Sequence, residues 1–361
     1  MVFQAILKKT LQYNKRINHS KGYDRGPVGR RHVALDAITG PSWQLSIVAS
    51  SQLLVATRCF PQPLHRIYTM YPQLIAEFIQ KEQLPATYQE DAERWFVPLA
   101  KLLIQEIQTG DKALIVGING AQGTGKSTLA ALLQHLLQAS GLNTVSLSVD
   151  DFYYSKSHRR QMALDVHPLL ACRGVPGTHD VRLALTTLDR LLRCQPGETL
   201  SLPAFNKATD DCCLPEQQPT VTGPVRCIIL EGWFIGATPQ SATALEQPLN
   251  SLESEEDANG KWRRYVNQQL AGEYQQLFAR LDKLVMLRAP GFEQVMEWRC
   301  LQEDKLRERA TGNAMMSEAQ IARFIQHFER LTCHCLNTLP AQADISFDLD
   351  IHHRITSQVT N

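Results

Sequence analysis

The most informative residues are 120–127, Gly-Ala-Gln-Gly-Thr-Gly-Lys-Ser, which complete a G-x-x-x-x-G-K-S pattern. Glycines at these spacings let backbone N–H groups turn toward a phosphate at a helix N-terminus. Lys126 would place a cation against the β- and γ-phosphates, and the Ser127 hydroxyl would complete the coordination of Mg²⁺. The pattern therefore predicts a nucleotide triphosphate site. Its candidate residues are Gly120, Ala121, Gln122, Gly123, Thr124, Gly125, Lys126, Ser127 and Thr128.

Three carboxylates follow runs of strand-forming residues and are candidates for acid–base or metal chemistry. Asp150 and Asp151 come directly after one run, where at least one could accept a substrate proton or bind the metal through water. An N-cap or turn pair is the structural alternative for these two. Glu231 ends another run and, as a single acid followed by glycine, disfavours an ATPase motor. We predict phosphoryl transfer, with Ser127, Glu231 and Asp150 as the metal candidates.

A polar segment at 173–180, Arg-Gly-Val-Pro-Gly-Thr-His-Asp, combines a cation, an imidazole and a carboxylate. It could hold a small polyhydroxy acid, although a bare turn explains its glycines equally well. A weaker signal is Lys207 in the loop 203–207. Arg299 belongs to a helical pattern at 298–307, and such an arginine can close over a transferred phosphate. An exposed helix with ion pairs is the alternative interpretation there.

Strands and helices must alternate to bring these groups together. An apolar run precedes the phosphate loop, and leucines at helical spacing follow it up to Gly141. The pattern predicts an α/β fold with a mainly parallel sheet and helices on both faces, whose functional groups lie at the carboxyl ends of the strands. The predicted strands are 113–118, 144–149, 225–230, 281–287 and 344–349.

The remaining segments carry weaker signals. Residues 1–60 show little periodicity apart from a short strand at 43–48. Two apolar helical stripes, interrupted at Pro85, run from residue 67 to 107 and predict a helical cover that leads into the first strand. Residues 250–260 are acidic, and a solvated loop and a lid are equally consistent with them. A capping box at 317–320 opens a last amphipathic helix.

Composition limits the function classes. The chain has 361 residues, with 37 Lys plus Arg against 36 Asp plus Glu, so charge gives no reason to expect nucleic acid or an anionic membrane as a partner. Nine cysteines, without paired C-x-x-C units, favour a reduced cytoplasmic protein. We expect Cys333 and Cys335 to lie on a helix surface and not at a metal. No apolar run has membrane-spanning length, so we expect a soluble protein that binds a small molecule; the oligomeric state cannot be read.

Taken in order, six motifs resemble those of the P-loop glycerate kinase family, which includes the plant-type D-glycerate 3-kinases. They are the phosphate loop, Ser-Val-Asp-Asp-Phe-Tyr at 148, the 173–180 segment, Leu-Pro-Ala-Phe-Asn-Lys-Ala at 202, Ile-Leu-Glu-Gly-Trp-Phe-Ile-Gly at 229 and Trp-Arg-Cys-Leu-Gln-Glu at 298. The resemblance spans roughly residues 70 to 350. Uridine kinase, pantothenate kinase and phosphoribulokinase are similar at a greater distance.

The resemblance implies a P-loop NTPase fold and ATP-dependent phosphorylation of D-glycerate on its 3-hydroxyl. It implies Asp150 as the catalytic base, with Lys126 and Arg299 stabilising the transferring charge. Cys212 stands where the family often carries Arg, which puts any contact from that position in doubt. The implied acceptor-site residues are Asp151, Tyr153, Arg173, His179, Asp180, Lys207 and Glu231.

The resemblance also suggests a division of the chain. Residues 66–361 would form the kinase domain, with a helical lead-in at 66–110 and lid and acceptor insertions. Residues 1–65 would be an N-terminal extension of unknown role. Two alternatives to glycerate phosphorylation remain: the same fold acting on another small hydroxyl acceptor, such as a nucleoside, pantothenate or a sugar acid, and a nucleotide-binding regulatory protein without kinase activity.

Overall fold

The computed structural model of the chain describes residues 62–309 and 318–361. The strand predicted at 43–48, nearly all of the extension predicted at 1–65, and Ser317 of the predicted capping box lie outside these residues. The boundary placed at residue 65 therefore stays a prediction.

Ten strands are present in the described part of the chain, and six of them form the central sheet in the order β10-β9-β8-β1-β7-β2. Neighbours in this sheet are parallel except for β9 and β10, which are antiparallel. The predicted α/β fold with a mainly parallel sheet is confirmed. The strands are β1 (Leu114–Gly120), β2 (Thr144–Ser148), β3 (Thr199–Ser201), β4 (Phe205–Asn206), β5 (Asp211–Cys212), β6 (Thr220–Thr222), β7 (Cys227–Gly232), β8 (Lys283–Arg288), β9 (Ile345–Leu349) and β10 (Ile355–Thr360).

Helices fill most of the connections between the strands. A π-helical turn at Ala92–Phe96 joins the second helix to the third. The helices of the described ranges are α1 (Gln62–Glu82), α2 (Tyr88–Asp91), α3 (Val97–Thr109), α4 (Lys126–Ala139), α5 (Lys156–Asp165), α6 (Val181–Arg193), α7 (Ser251–Glu256), α8 (Lys261–Ala271), α9 (Glu273–Phe278), α10 (Phe292–Arg309) and α11 (Glu318–Thr338).

The central position of β1 decides where the site forms. β1 lies between β7 and β8, and Gly117 of β1 packs so closely that an added Cβ would lie 2.7 Å from Leu281. Ile118 is opposite Glu231 in the parallel register. Because parallel strands end at the same sheet edge, the loop after β1 begins beside the Glu231 carboxylate.

The helical lead-in predicted at 66–110 corresponds to α1–α3, and its predicted break at Pro85 falls between α1 and α2. Tyr71 of α1 contacts the C-terminal end of α4 through a 2.9 Å hydrogen bond between its hydroxyl and that of Ser140. At the end of α2 the lead-in is held by Arg354, which forms a 2.7 Å ion pair with Asp91. The lead-in is therefore fixed both to the end of α4 and to the residue before β10.

The acidic segment 250–260 is not a solvated loop. Asn250 caps α7, and Glu253 is fully buried in a 2.6 Å ion pair with Arg330 of α11. Asp257 is also buried and pairs with Arg263 of α8 at 3.0 Å. The acidic composition misleads because these two buried carboxylates pair with arginines, Glu253 with the distant Arg330 and Asp257 with Arg263 six residues later.

Two other expectations concern cysteines and membranes. Cys335 is buried in the core, which corrects the expectation that it lies on the helix surface. No cluster of metal-binding side chains occurs within residues 62–309 and 318–361. Of the helices described, none combines the length and apolar character needed to cross a bilayer.

Candidate active site

The phosphate loop depends on glycine for its backbone shape. Gly123 and Gly125 have φ angles of +85° and +86°, a region that side chains disfavour. At Gly123 an added Cβ would lie 2.6 Å from the Cβ of Trp298, so the loop also packs tightly against the second turn of α10. The Thr124 hydroxyl donates to the carbonyl of Ala121 at 2.9 Å and closes the loop on itself. The loop is therefore shaped before any ligand arrives.

Ser127 and Glu231, both predicted metal candidates, meet at the carboxyl edge of the sheet. The Ser127 hydroxyl donates to Glu231 Oε1 at 2.8 Å. Glu231 is buried, and its Oε2 has no hydrogen-bond partner among the described residues. A buried carboxylate oxygen without a partner is unfavourable unless a cation or donor occupies the position beside it. This pair has the oxygen chemistry that Mg²⁺ prefers.

Asp150 lies at the centre of a second cluster. The Tyr153 hydroxyl donates to its Oδ1 at 2.9 Å, and Lys207 Nζ lies 2.7 Å from its Oδ2. Burial alone would raise the pKa of Asp150, but the charges of Lys207 and Lys126 outweigh it and hold the pKa below its ordinary value. Asp150 is therefore an ionised carboxylate in the electrostatic range of the phosphate-loop lysine.

Asp151 differs from its neighbour. Its Oδ2 accepts the backbone N–H of Ser148 at 2.9 Å, in a capping box on the turn after β2. Burial, together with the nearby charges of Asp150 and Glu231, raises the pKa of Asp151 to about 6. The alternative of an N-cap therefore applies to Asp151, whereas Asp150 forms an ion pair with Lys207. A direct contact of Asp151 with an acceptor stays a prediction.

The segment 173–180 is a constrained loop, not a bare turn. Gly174 (φ +137°) and Gly177 (φ +98°) both have conformations that favour glycine, and an added Cβ at Gly174 would lie 2.4 Å from Phe328. Thr178 is fully buried and its hydroxyl bridges the Gly174 N–H and the Val175 carbonyl. The loop is thereby fixed at the point where it presents Arg173 and His179.

Arg173 is oriented by an aspartate that the sequence reasoning did not single out. Its Nη1 pairs with Asp210 Oδ1, and its guanidinium lies 5.5 Å from the ring centre of Phe205. Arg159, which is buried, binds the same Asp210 oxygen at 2.8 Å. Within the described residues, Asp210 is the hydrogen-bonding partner of Arg173, so the remaining donors of its guanidinium fork can reach an anionic ligand.

His179 and Asp180 have different surroundings. The His179 ring is buried, stacks on Tyr153 with 4.4 Å between ring centres, and shares a 2.8 Å hydrogen bond between Nδ1 and the Tyr274 hydroxyl. Burial lowers the pKa of His179 to about 3, so the ring is neutral. Asp180 is the N-cap of α6 and accepts the backbone N–H of Leu183 at 2.9 Å. Its part in binding an acceptor stays a prediction.

A cavity of about 400 Å³ opens beside the phosphate loop, and none of Asp150, Tyr153 and Lys207 lines it. Gly125 and Thr128 line it from the loop, and Tyr88 lines it from the lead-in. The turn between β9 and β10 supplies His353, whose Nε2 lies 2.9 Å from the Gly123 carbonyl oxygen and whose ring stacks on Trp298. The lead-in therefore forms one wall of a site next to the loop.

The structure brings most of the predicted residues into two neighbouring groups. Lys126, Ser127 and Glu231 belong to the phosphate-loop group, and Asp150 joins the acceptor-side group. Arg299 follows Trp298 directly on α10 and so lies one residue after the contact with Gly123. The acceptor-side group further contains Tyr153, Arg173, His179 and Lys207.

Sequence reasoning missed Asp210, Tyr274 and His353. Asp210 was visible only as part of an acidic pair, and Tyr274 lies about a hundred residues from its partner His179. His353 occurs in a short polar turn without a motif. No local pattern distinguishes these residues, because each acts through a contact with a distant segment.

Comparisons with known proteins identify kinases as relatives of this chain. No family model matches the chain. An uncharacterised kinase of Schizosaccharomyces pombe is 30% identical over 257 residues, which cover 67% of this chain and 87% of that protein. The chloroplastic D-glycerate 3-kinase of Arabidopsis thaliana is 25% identical over 301 residues, which cover 78% of this chain and 63% of that protein.

Among solved structures, the D-glycerate 3-kinase of Cryptococcus neoformans var. grubii superimposes with a TM-score of 0.61 at 23% identity. The match covers 73% of this chain and 98% of that one, and at this identity it speaks for the fold alone. Fold and site together define a P-loop kinase. The chain belongs to the glycerate kinase family of the P-loop kinase superfamily.

Proposed function

We propose that the protein transfers the γ-phosphoryl group of ATP to the 3-hydroxyl of D-glycerate, giving 3-phosphoglycerate and ADP. The observation that carries this proposal is the Asp150 carboxylate, which is kept ionised by Lys207 and lies within the electrostatic influence of Lys126. A carboxylate in this place can take the proton of an attacking hydroxyl while the lysine faces the phosphates.

ATP would bind with its phosphates along the phosphate loop and its base in the adjoining cavity of about 400 Å³. That cavity is mainly lined by apolar residues, as base pockets commonly are. The backbone N–H groups of the loop and Lys126 would hold the β- and γ-phosphates, and Arg299 at the start of α10 would neutralise the charge that moves.

Mg²⁺ fits the pair formed by Ser127 and Glu231. The unpartnered Oε2 of Glu231 and the Ser127 hydroxyl are hard oxygen ligands, and Asp150 adds a second carboxylate at the same sheet edge. Bound there, the ion would neutralise charge on the phosphates. The Ser127–Glu231 hydrogen bond keeps both side chains oriented toward this position.

The acceptor would bind between the 173–180 loop and Lys207. A small hydroxy acid needs a cation for its carboxylate, and the free donors of Arg173 supply one beside the base. In a loose transition state the proton leaves late, so Asp150 can serve despite its lowered pKa as long as the hydroxyl is well placed. The lowered pKa also ensures that the base is ionised at neutral pH.

The test is ADP release by the purified protein with Mg·ATP, with and without D-glycerate, followed by NMR identification of the product. Release that depends on glycerate and yields 3-phosphoglycerate is the expected result. 2-Phosphoglycerate would overturn the regiochemistry, and release only with a nucleoside, pantothenate or another sugar acid would overturn the acceptor. ATP binding without release for any acceptor would favour a regulatory protein.

A further inference from the structure

The buried ring of His179 has one satisfied and one unsatisfied nitrogen. Nδ1 shares a 2.8 Å hydrogen bond with the Tyr274 hydroxyl. Nε2 is buried and has no hydrogen-bond partner among the residues that the structure describes. A buried imidazole nitrogen without a partner is costly in a folded protein, so its proton state matters for what can bind there.

The proton positions follow from counting donors and acceptors around Tyr274. Its hydroxyl oxygen accepts the backbone N–H of Gly177 at 2.9 Å. If His179 Nδ1 also carried a proton, the oxygen would accept twice and the phenol proton would have no acceptor among the described residues. If Nδ1 instead carries the lone pair, the phenol donates to it, and the Gly177 N–H, the Tyr274 hydroxyl and Nδ1 are all satisfied. The neutral ring then bears its proton on Nε2.

Charged forms do not alter this count. Burial lowers the pKa of His179 to about 3, so the imidazolium form is absent at neutral pH. Burial likewise raises the pKa of Tyr274 above its ordinary value, so the phenol keeps its proton. Both partners are neutral, and one tautomer satisfies the hydrogen bond between Nδ1 and the Tyr274 hydroxyl.

The Nε2–H group points away from Tyr274 because the two ring nitrogens lie on opposite sides of the imidazole. The ring itself stacks on Tyr153, whose hydroxyl donates to Asp150. His179 is thus separated by the Tyr153 ring from the carboxylate proposed as the base.

We propose that Tyr274 is a positioning residue that holds His179 in its Nε2–H tautomer, so that His179 donates a hydrogen bond to an oxygen of the acceptor substrate and does not take its proton. The proposal rests on the proposed function, because it places the acceptor beside Asp150. It assigns proton removal to Asp150 alone and makes the site selective for acceptors with an oxygen at this position.

The tautomer can be measured without any substrate. Long-range ¹H–¹⁵N spectra distinguish a protonated ring nitrogen from one with a lone pair, and the spectrum of His179→Gln identifies the His179 signals among those of the 11 histidines. In the wild type at pH 7 we expect a proton on Nε2 and a lone pair on Nδ1. A proton on Nδ1, or a charged ring, would overturn the proposal whether or not glycerate is the acceptor.

Tyr274→Phe tests the role of the hydroxyl while keeping the aromatic packing. In this variant no hydroxyl donates to Nδ1, so Nδ1 can carry a proton itself, and we expect a mixture of the two tautomers. We also expect the KM for the acceptor to rise about fivefold to tenfold. The KM for ATP should stay the same. Tyr265→Phe, the same substitution on α8 beside Gly177, is the matched control and should change neither spectrum nor KM.

Two outcomes would contradict the proposed positioning role of Tyr274. One is a Tyr274→Phe protein with the wild-type tautomer and acceptor KM. The other is equal loss of ATP and acceptor affinity, which would indicate a general structural effect. The acceptor measurement uses whichever substrate the panel identifies, so failure of D-glycerate as a substrate is distinguishable from failure of this proposal.

Discussion

The two halves of the site are built in different ways. The phosphate-loop half depends on backbone conformation. Glycines with positive φ and one threonine hydroxyl shape residues 120–127, a single short segment of the chain. The acceptor half is assembled by side chains from separate segments, through the pairs Lys207–Asp150, Arg173–Asp210 and His179–Tyr274. Backbone shape survives many neighbouring substitutions, whereas a side-chain pair is lost with either partner. Substitutions should therefore separate nucleotide binding from acceptor chemistry.

The largest expected effect breaks the acceptor half at its base. Asp150→Asn removes the charge that accepts the proton, so we expect kcat to fall about 10³-fold while the dissociation constant for ATP changes little. Coupled ADP release and nucleotide titration measure the two quantities. Asp151→Asn is the matched comparison and should lose much less, because an amide oxygen can still accept the Ser148 N–H. Unchanged turnover in Asp150→Asn would remove this residue from the mechanism.

A second substitution breaks the nucleotide half. Gly123→Ala would force a side chain into a φ of +85° and place its Cβ 2.6 Å from that of Trp298. Strain of about 1 to 2 kcal/mol and overpacking of about 1 to 3 kcal/mol should weaken ATP binding by about 10²-fold. Nucleotide titration measures this loss.

Gly141→Ala is the control that separates the backbone strain of a positive φ from the close contact with Trp298. Gly141 lies two residues after the end of α4 and has a φ of +79°. A Cβ added there would have no described atom within 4 Å. It should lower the melting temperature modestly and leave ATP affinity intact. If Gly123→Ala bound ATP as tightly as Gly141→Ala does, the close contact with α10 would have no part in shaping the loop.

The same contrast explains what the sequence could predict. The order strand, phosphate loop, helix is local, so β1, α4 and the loop residues followed from the pattern, as did β7 with Glu231 at its end. Hydrophobic periodicity also predicted α1 and α3. These features depend on residues within about 20 positions of one another, where spacing fixes geometry.

Other features depend on long-range pairing and left no local sign. Arg354 binds Asp91 across 263 positions, and Arg330 of α11 pairs with the buried Glu253 of the acidic 250–260 segment. Likewise, the resemblance implied Arg173 as an acceptor-site residue, but the sequence could not show that Asp210 holds it. Side-chain partners of this kind are decided by tertiary packing.

A smaller effect is expected from the pair Arg173–Asp210. Asp210→Asn keeps the shape of the side chain but removes the charge that orients the guanidinium, so we expect the KM for the acceptor to rise about tenfold, with the KM for ATP unchanged. Asp211→Asn, at the neighbouring carboxylate, is the control because Asp211 accepts the backbone N–H of Lys156 and makes no contact with Arg173 among the described residues. Equal changes in both variants would point to the β4–β5 hairpin and not to Arg173.

The smallest effect concerns the stability of the acceptor half toward acid. Burial lowers the pKa of His179 to about 3, well below the value of about 6.5 in an unfolded chain. Between these values the unfolded state binds a proton that the folded state does not, so the free energy of unfolding must fall as the pH decreases below about 6.5.

His179→Gln removes this linkage. From pH 7.5 to 5.5 the wild type should lose about 1.4 kcal/mol more than the variant, measured by urea unfolding. His158→Gln, which removes an exposed histidine of α5, is the control for loss of an imidazole. If the free energy of unfolding fell equally in the wild type and in His179→Gln, the His179 ring would be protonated as readily in the folded as in the unfolded state. The acceptor half would then lack the fixed, buried packing that the phosphate loop has.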